Sequence, residues 1–268
     1  MQKVSSMDME KDTSKQLPLI DAVFDTLPNC NVVKVCVGLH WTAVVVDVQG
    51  EQRCGLASSL VGNHIHGVPD VPRAGLLEQM KGLELAAFVQ ESQFALSSIG
   101  VATINALLPR QPNKWSDVNA EEVIAKQGNG KSVALVGHFP FISRLRPQVR
   151  ELSVLEQNPQ PGELPSNLAE EIIPQADVVA ITGTTLINHT LDDLLALCSP
   201  DAVVILLGPS TFMSPILFDH GVDLLCGSVV TNIKSVLKTV QQGGNFRQVH
   251  SAGVRLVSMS RSEVFNGS

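Results

Sequence analysis

The stretch "SVALVGHFPFISRL", Ser132 to Leu145, decides the fold. Val133, Ala134, Leu135 and Val136 run apolar into Gly137, the pattern of a strand buried on both faces that stops at a turn. A dinucleotide-binding fold would continue as G-x-G-x-x-G, so that bare backbone could approach a pyrophosphate. Here the turn reads Gly137, His138, Phe139, Pro140, with bulk where the glycines would stand. A strand and turn of this kind call for a Rossmann-like sheet with a different use of its first loop.

Downstream, the same pattern recurs. After Val133–Gly137, strands are predicted at Leu152–Glu156, Val178–Thr182, Val203–Gly208, Val222–Cys226 and Val254–Met259. Helical segments such as "TLDDLLALC" and "NIKSVLKTVQQG" lie between them, and "NAEEVIAKQ" precedes them with an Asn119/Glu122 capping pattern. Apolar strands alternating with helices predict a mostly parallel sheet covered on both faces. Upstream the order differs. "LPLIDAVFDTL" (Leu17–Leu27) reads as a helix; "NVVKVCVGL", "WTAVVVDV" and "RCGLASSL" read as three strands. Their links are too short for parallel crossovers, so an antiparallel meander is expected. A loop (Val61–Gly75), two helical segments within "LLEQMKGLELAAFVQ" and "SQFALSSIGVATINALL", and a linker (Pro109–Asp117) come next. The expected organisation is a polar tail over 1–16, a β-β-β-α domain over 17–110 and a Rossmann-like domain over 118–262.

Composition narrows the function. The 268 residues are 44% hydrophobic with a formal net charge of -7, enough apolar matter for two cores and the wrong charge for a phosphate backbone, so no nucleic-acid partner is expected. No apolar run reaches a membrane span, and no basic-then-apolar leader opens the chain. The five cysteines are an odd number without a CxxC pair, which suits reduced thiols and a cytoplasmic location. Cys36 and Cys226 fall in apolar strand contexts and are expected to be core thiols.

Ligands of open α/β sheets sit beyond the carboxyl ends of the strands. The loops there carry Gly137, His138 and Phe139; Glu156; Thr182, Gly183, Thr184, Thr185 and Asn188; and Gly208, Pro209, Ser210 and Thr211. Glycine admits close approach, and hydroxyls beside free N–H groups suit polar ligands. His138 directly succeeds the first strand and could serve as base, anion contact or metal ligand. Glu156, nineteen residues after Gly137, stands where dinucleotide folds hold a ribose. Each loop alone is readable as capping and turn chemistry, with Thr190 and Asp193 opening "LDDLLALC"; their convergence on one sheet edge is what suggests a site. In "GNHIHG", His64 and His66 share one side of an extended segment, but two imidazoles are short of a metal site and Cys54, His40 or His138 would have to complete it. Two surface-loop histidines are the plainer reading. There is no nucleophile elbow, Walker loop or HExxH, so the sequence names no reaction.

The segments "GLHWTAVVVD", "CGLAS", "SSIGVATINALL", "VALVGHFPFI", "ADVVAITGTTLINHTLDDLL", "VILLGPSTFMSPILFDHGVDLLCGSVV" and "QGG" occur in that order. Together they resemble the family described as "putative heavy-metal chelation", over about Leu17 to Met259. The resemblance implies an enolase N-terminal-like domain and, after it, a Rossmann-like one, with a site in the cleft between them. It implies a heavy metal or metal chelate as the bound group, with His138 as the candidate metal ligand. It adds Gly55 and Ser58 of "CGLAS" to the cleft-side positions, leaves Asn105 as either helix packing or a cleft contact, with packing preferred, and does not reach "GNHIHG". The expected function is binding of a heavy metal, a metal chelate or a small anionic molecule in that cleft. The alternatives are an enzyme using a nucleoside-containing cofactor and a non-catalytic interaction protein. The oligomeric state is not legible.

Overall fold

A computed structural model describes residues 17–62 and 66–261. The expected tail over 1–16 and His64 lie outside the described residues. The strands are β1 (Asn31–Val37), β2 (Trp41–Val48), β3 (Glu51–Ser58), β4 (Ser132–Val136), β5 (Glu151–Glu156), β6 (Leu164–Pro165), β7 (Val178–Thr182), β8 (Val203–Leu207), β9 (Leu224–Val230) and β10 (Val254–Ser260). The helices are α1 (Pro18–Phe24), α2 (Gly82–Ala86), α3 (Phe94–Leu107), α4 (Ala120–Gly128), α5 (Ile142–Leu145), α6 (Ala169–Ile172), α7 (Leu191–Leu197), α8 (Ile216–Asp219), α9 (Ile233–Gln241) and α10 (Phe246–Gly253).

Two sheets organise the molecule. β1, β2 and β3 form an antiparallel meander in that order. The second sheet has seven strands in the order β10-β9-β8-β7-β4-β5-β6, parallel except for β10 against β9. This is the mixed α/β class that the apolar runs predict. Side-chain alternation explains why β4 reads as one apolar run. Ala134 faces the core that holds α1, α3, α6 and α7 residues, whereas Val133 and Leu135 face Val123 and Ile124 of α4 and Leu145 of α5. A strand covered on both faces has no polar side to show.

Two helical readings change. "LLEQMKGLELAAFVQ" is not one helix: a short turn at Leu77–Gln79 stops at extended Met80, and α2 restarts at Gly82. The break is held from outside, because Lys81 bridges Asn31 across β1 and Gly82 N–H donates to the Cys30 carbonyl at 2.9 Å. The "NIKSVLKTVQQG" helix, α9, does not cover the parallel sheet. Val236 and Val240 of α9 and Val249 of α10 pack instead on Cys36, Trp41, Ala43, Val45, Cys54 and Leu56, the outer face of the meander. β9 explains this placement. It pairs with β8 only as far as Cys226, and Gly227–Val230 run on beside β10 towards β3, delivering α9 to the other sheet.

The seam between the two sheets is hydrogen-bonded shut at the end of β3. Ser58 N–H donates to Ser210 Oγ at 2.9 Å, and Asn105 Nδ2 donates to the carbonyls of Leu56 (3.1 Å) and Ser210 (3.2 Å). Among the described residues no helix is long and apolar enough to cross a membrane.

Candidate functional site

The site is built from the strand order. β4 leads rightward to β5 and β6, and the chain then returns to place β7 on the other side of β4. The loops leaving β4 and β7 therefore diverge, and a crevice opens between them beyond the strand ends. A cavity of about 470 Å³ occupies that place, within the size range of small-molecule sites.

Val136 at the end of β4 with Gly137 after it, and Leu155 and Glu156 at the end of β5 with Gln157 after them, form one side of the cavity. Gly137 takes φ +114°, and its N–H donates to the Leu155 carbonyl at 3.0 Å, so the chain turns off β4 while staying tied to β5. A Cβ there would lie 2.9 Å from Thr182 Cβ, which is why glycine ends this strand. Thr182, Thr184, Thr185, Asn188 and Thr190 form the opposite side. Their hydroxyls are arranged by the turn itself. Thr184 Oγ1 donates to Thr182 Oγ1 at 3.1 Å, Thr185 Oγ1 to the Thr182 carbonyl at 2.7 Å, and Thr190 Oγ1 to Asn188 Oδ1 at 2.7 Å. The Thr190 hydroxyl thus folds back on Asn188, and no side-chain cap bond opens α7. Leu194 and Leu197 of α7, Ala169 of α6 and Leu60 add apolar surface.

Glu156, Glu170 and Asp193 contribute carboxylates to the lining, and among the described residues no Lys or Arg lines the cavity. Gln157 N–H donates to Glu156 Oε2 at 3.1 Å.

His138 comes one residue after Gly137 and is not itself a lining residue of the cavity. Its Nδ1 lies 2.5 Å from Glu163 Oε1, with the imidazole half-exposed and the Glu163 side chain nearly covered. Glu163 Oε2 also accepts the Gln160 N–H at 2.9 Å, and that bond, with the His138 contact, holds the carboxyl below its ordinary range. Glu163 therefore orients the ring.

The remaining expected residues lie elsewhere. Phe139 turns under the sheet and stacks on Phe141, with centroids 5.3 Å apart, in the core beneath α4. Gly55 lies against α3, where a Cβ would meet the Ala102 carbonyl at 2.1 Å, so it is a packing glycine. Ser58, Ser210 and Asn105 close the seam between the sheets. Gly208 ends β8 as Gly137 ends β4, with φ +115° and its N–H on the Cys226 carbonyl. Pro209 accepts a bond from Ser228 Oγ at 3.3 Å. Gly183 abuts Thr211, whose buried Oγ1 has no partner among the described residues. The cavity belongs almost wholly to the seven-stranded half, with Leu60 from the other.

Sequence reading missed Ser166, Asn167 and Glu170, which come after β6 and line the cavity. β6 is two residues long, too short for any periodicity to announce it. The signal that was available is the hydroxyl-amide pair Ser166-Asn167 after a proline, the same chemistry as the other strand-end loops.

Among the described residues no three His, Cys, Asp or Glu side chains converge on one point. Burial pushes the Cys54 thiol up to about 12 and those of Cys198 and Cys226 to about 11, so without a metal these sulfurs are thiols at neutral pH. His66 is exposed, and its companion His64 is outside the described residues.

Comparison with known proteins places these features in context. A family model described as "Putative heavy-metal chelation" (DUF364) matches residues 119–259, and a second of the same description (DUF4213) matches 20–108. An uncharacterized protein of Methanocaldococcus jannaschii is 25% identical over 214 residues, covering 77% of this chain and 81% of its own. A DUF364-family protein of unknown function from Desulfitobacterium hafniense superposes with a TM-score of 0.75 at 26% identity, covering 91% of this chain and 97% of that one. A second, from Pyrococcus horikoshii, shares the fold with a TM-score of 0.76 at 20% identity over 90% and 98% of the two chains.

Proposed function

The chain belongs to the DUF364 family, described as "Putative heavy-metal chelation", and from that membership we propose that it binds a small neutral or cationic molecule in the cavity at the ends of β4, β5 and β7. Any metal it carries arrives inside that molecule. The observation that carries this reading is the lining itself: the carboxylates of Glu156 and Glu170, a band of hydroxyls and amides, apolar patches, and no Lys or Arg among the described residues. A small anion would meet like charge at short range in a partly enclosed space, which weighs against the anionic ligand that the loops alone suggest. A bare heavy-metal ion would need three or four donors drawn together, and the described residues do not assemble them. A preformed chelate brings its own donors and needs only a shaped, polar pocket.

The test is a thermal scan of the whole chain against three sets of compounds: metal salts alone, the same metals as preformed organic chelates, and metal-free cationic or hydroxylated organics. The expected result is a raised midpoint with members of the second or third set, lost in Glu156→Gln. A rise with bare salts that is unchanged in Glu156→Gln and abolished in His138→Ala would contradict the reading and restore a direct metal site.

A further inference from the structure

The geometry points to a ligand class: a nucleoside without phosphates, its ribose diol held by Glu156. This inference rests on the cavity being the binding site. Three observations lead to it.

The first is where Glu156 stands. It ends β5, the strand beside central β4, on the opposite side from β7. In doubly wound sheets an acid at the end of that strand accepts hydrogen bonds from the two ribose hydroxyls. Glu156 is free to do so: Oε2 accepts only the neighbouring Gln157 N–H, and no described residue bonds Oε1.

The second is the path of the chain after Gly137. In a dinucleotide site the glycine turn enters a helix whose N-terminus faces the pyrophosphate. Here the chain dives beneath the sheet, with Phe139 stacked on Phe141, and α5 is four residues long. No helix start addresses the cavity from this loop. With Glu156 and Glu170 in the lining and no Lys or Arg among its described residues, a phosphate finds no counter-charge from them.

The third is the rest of the lining. Leu60, Leu155, Leu194 and Leu197 give a face for a heterocyclic base. Glu170 matches a positive substituent at the 5′ position, such as a sulfonium or an ammonium, so the best-fitting members of the class are cationic.

The experiment is isothermal titration of the full chain with adenosine, S-adenosylmethionine, AMP, NAD and 2′,3′-dideoxyadenosine. Adenosine or S-adenosylmethionine should bind, while AMP, NAD and the dideoxynucleoside should each bind at least about tenfold more weakly, as a site built around substrate hydroxyls rejects analogues lacking them. Glu156→Gln should bring adenosine and the dideoxynucleoside to within about twofold of each other, with an unchanged unfolding midpoint. Equal or tighter binding of the phosphates, or of the dideoxynucleoside to the unmodified protein, overturns the inference. If no nucleoside binds while a metal chelate slows amide exchange over 182–190, the nucleoside class is wrong and the cavity stands. If no compound of any class affects 155–157 or 182–190, both readings are lost.

Discussion

The His189 ring reaches across the molecule: its Nε2 lies 2.6 Å from the carbonyl oxygen of Val89, one hundred residues away in sequence. A carbonyl only accepts, so Nε2 carries the proton. Ser97 Oγ shares the same carbonyl at 3.3 Å. His189 adopts φ +59°, an unusual backbone state for a residue with a side chain. Its neighbours Asn188 and Thr190 both line the cavity. The contact therefore fixes the hydroxyl-bearing side of the cavity to the helical layer of the other half. His189→Ala should lower stability by about 1–3 kcal/mol, the usual cost of removing one partner of a covered hydrogen bond. Urea unfolding gives the stability, and titration of the variant should show weakened ligand binding although His189 does not line the cavity.

Gly55 makes a separable prediction about packing. A Cβ at this position would lie 2.1 Å from the Ala102 carbonyl oxygen and 2.3 Å from the Ala106 nitrogen, both backbone of α3. Gly55→Ala must push α3 off the meander. A loss of about 2 kcal/mol or more is expected, at or above the middle of the range for overpacked cores. A denaturation midpoint equal to the unmodified protein's would contradict the β3–α3 register.

Acid sensitivity should come in part from Asp177. Its carboxylate accepts the Ser132 N–H and the Ser132 hydroxyl, each at 2.8 Å, and Arg150 lies 3.7 Å away. These contacts, Ser132 first, lower its pKa from the ordinary 3.8. A depressed acid stabilises the fold above its ordinary value, and that contribution fades as pH falls through the depressed one. Asp177→Asn should thus be less stable than the unmodified protein near neutral pH, and the difference should close below about pH 4. Midpoints measured across that interval decide it; a gap that widens in acid would be the wrong sign.

The thiols predict a labelling pattern. All five cysteines are free. Burial raises Cys54 to about 12, and Cys226 to about 11, well above neutral pH. Iodoacetamide at about pH 8 should leave both unmodified in the folded protein and modify both after denaturation, read by peptide mass spectrometry. Rapid native labelling of Cys54 would mean that α9 and α10 do not cover the meander.

The sequence carried the sheets well because their strands are long and one-sidedly or two-sidedly apolar. "VALVG" reads as a buried strand because both neighbours of β4 cover it, and "NVVKVCV" reads as β because the meander is short-linked. It could not place α9. Its amphipathic pattern shows that it has a buried face, but not which sheet receives that face; the overshoot of β9 past Cys226 decides this, and that is a tertiary fact. The loops after β4, β5 and β7, which stand out in the sequence by their Gly, Thr and Asn content, are ones that border the cavity. The loop after β8 has the same content, yet Ser210 spends its hydroxyl and its carbonyl on Ser58 and Asn105 in the seam. Phe139 was misplaced because a turn residue's direction depends on which face has room for it. Glu163 was invisible as the partner of His138, since nothing in a linear spacing of twenty-five residues predicts a 2.5 Å contact.

Hydrogen–deuterium exchange, with and without the compound that most raises the unfolding midpoint, tests the location of the site most directly. Binding in the cavity predicts slowed amides over 155–157, 166–170 and 182–190, with 55–58 and 208–211 unchanged. Slowed exchange confined to 55–58 and 208–211 would put the ligand in the seam between the two sheets and contradict the account.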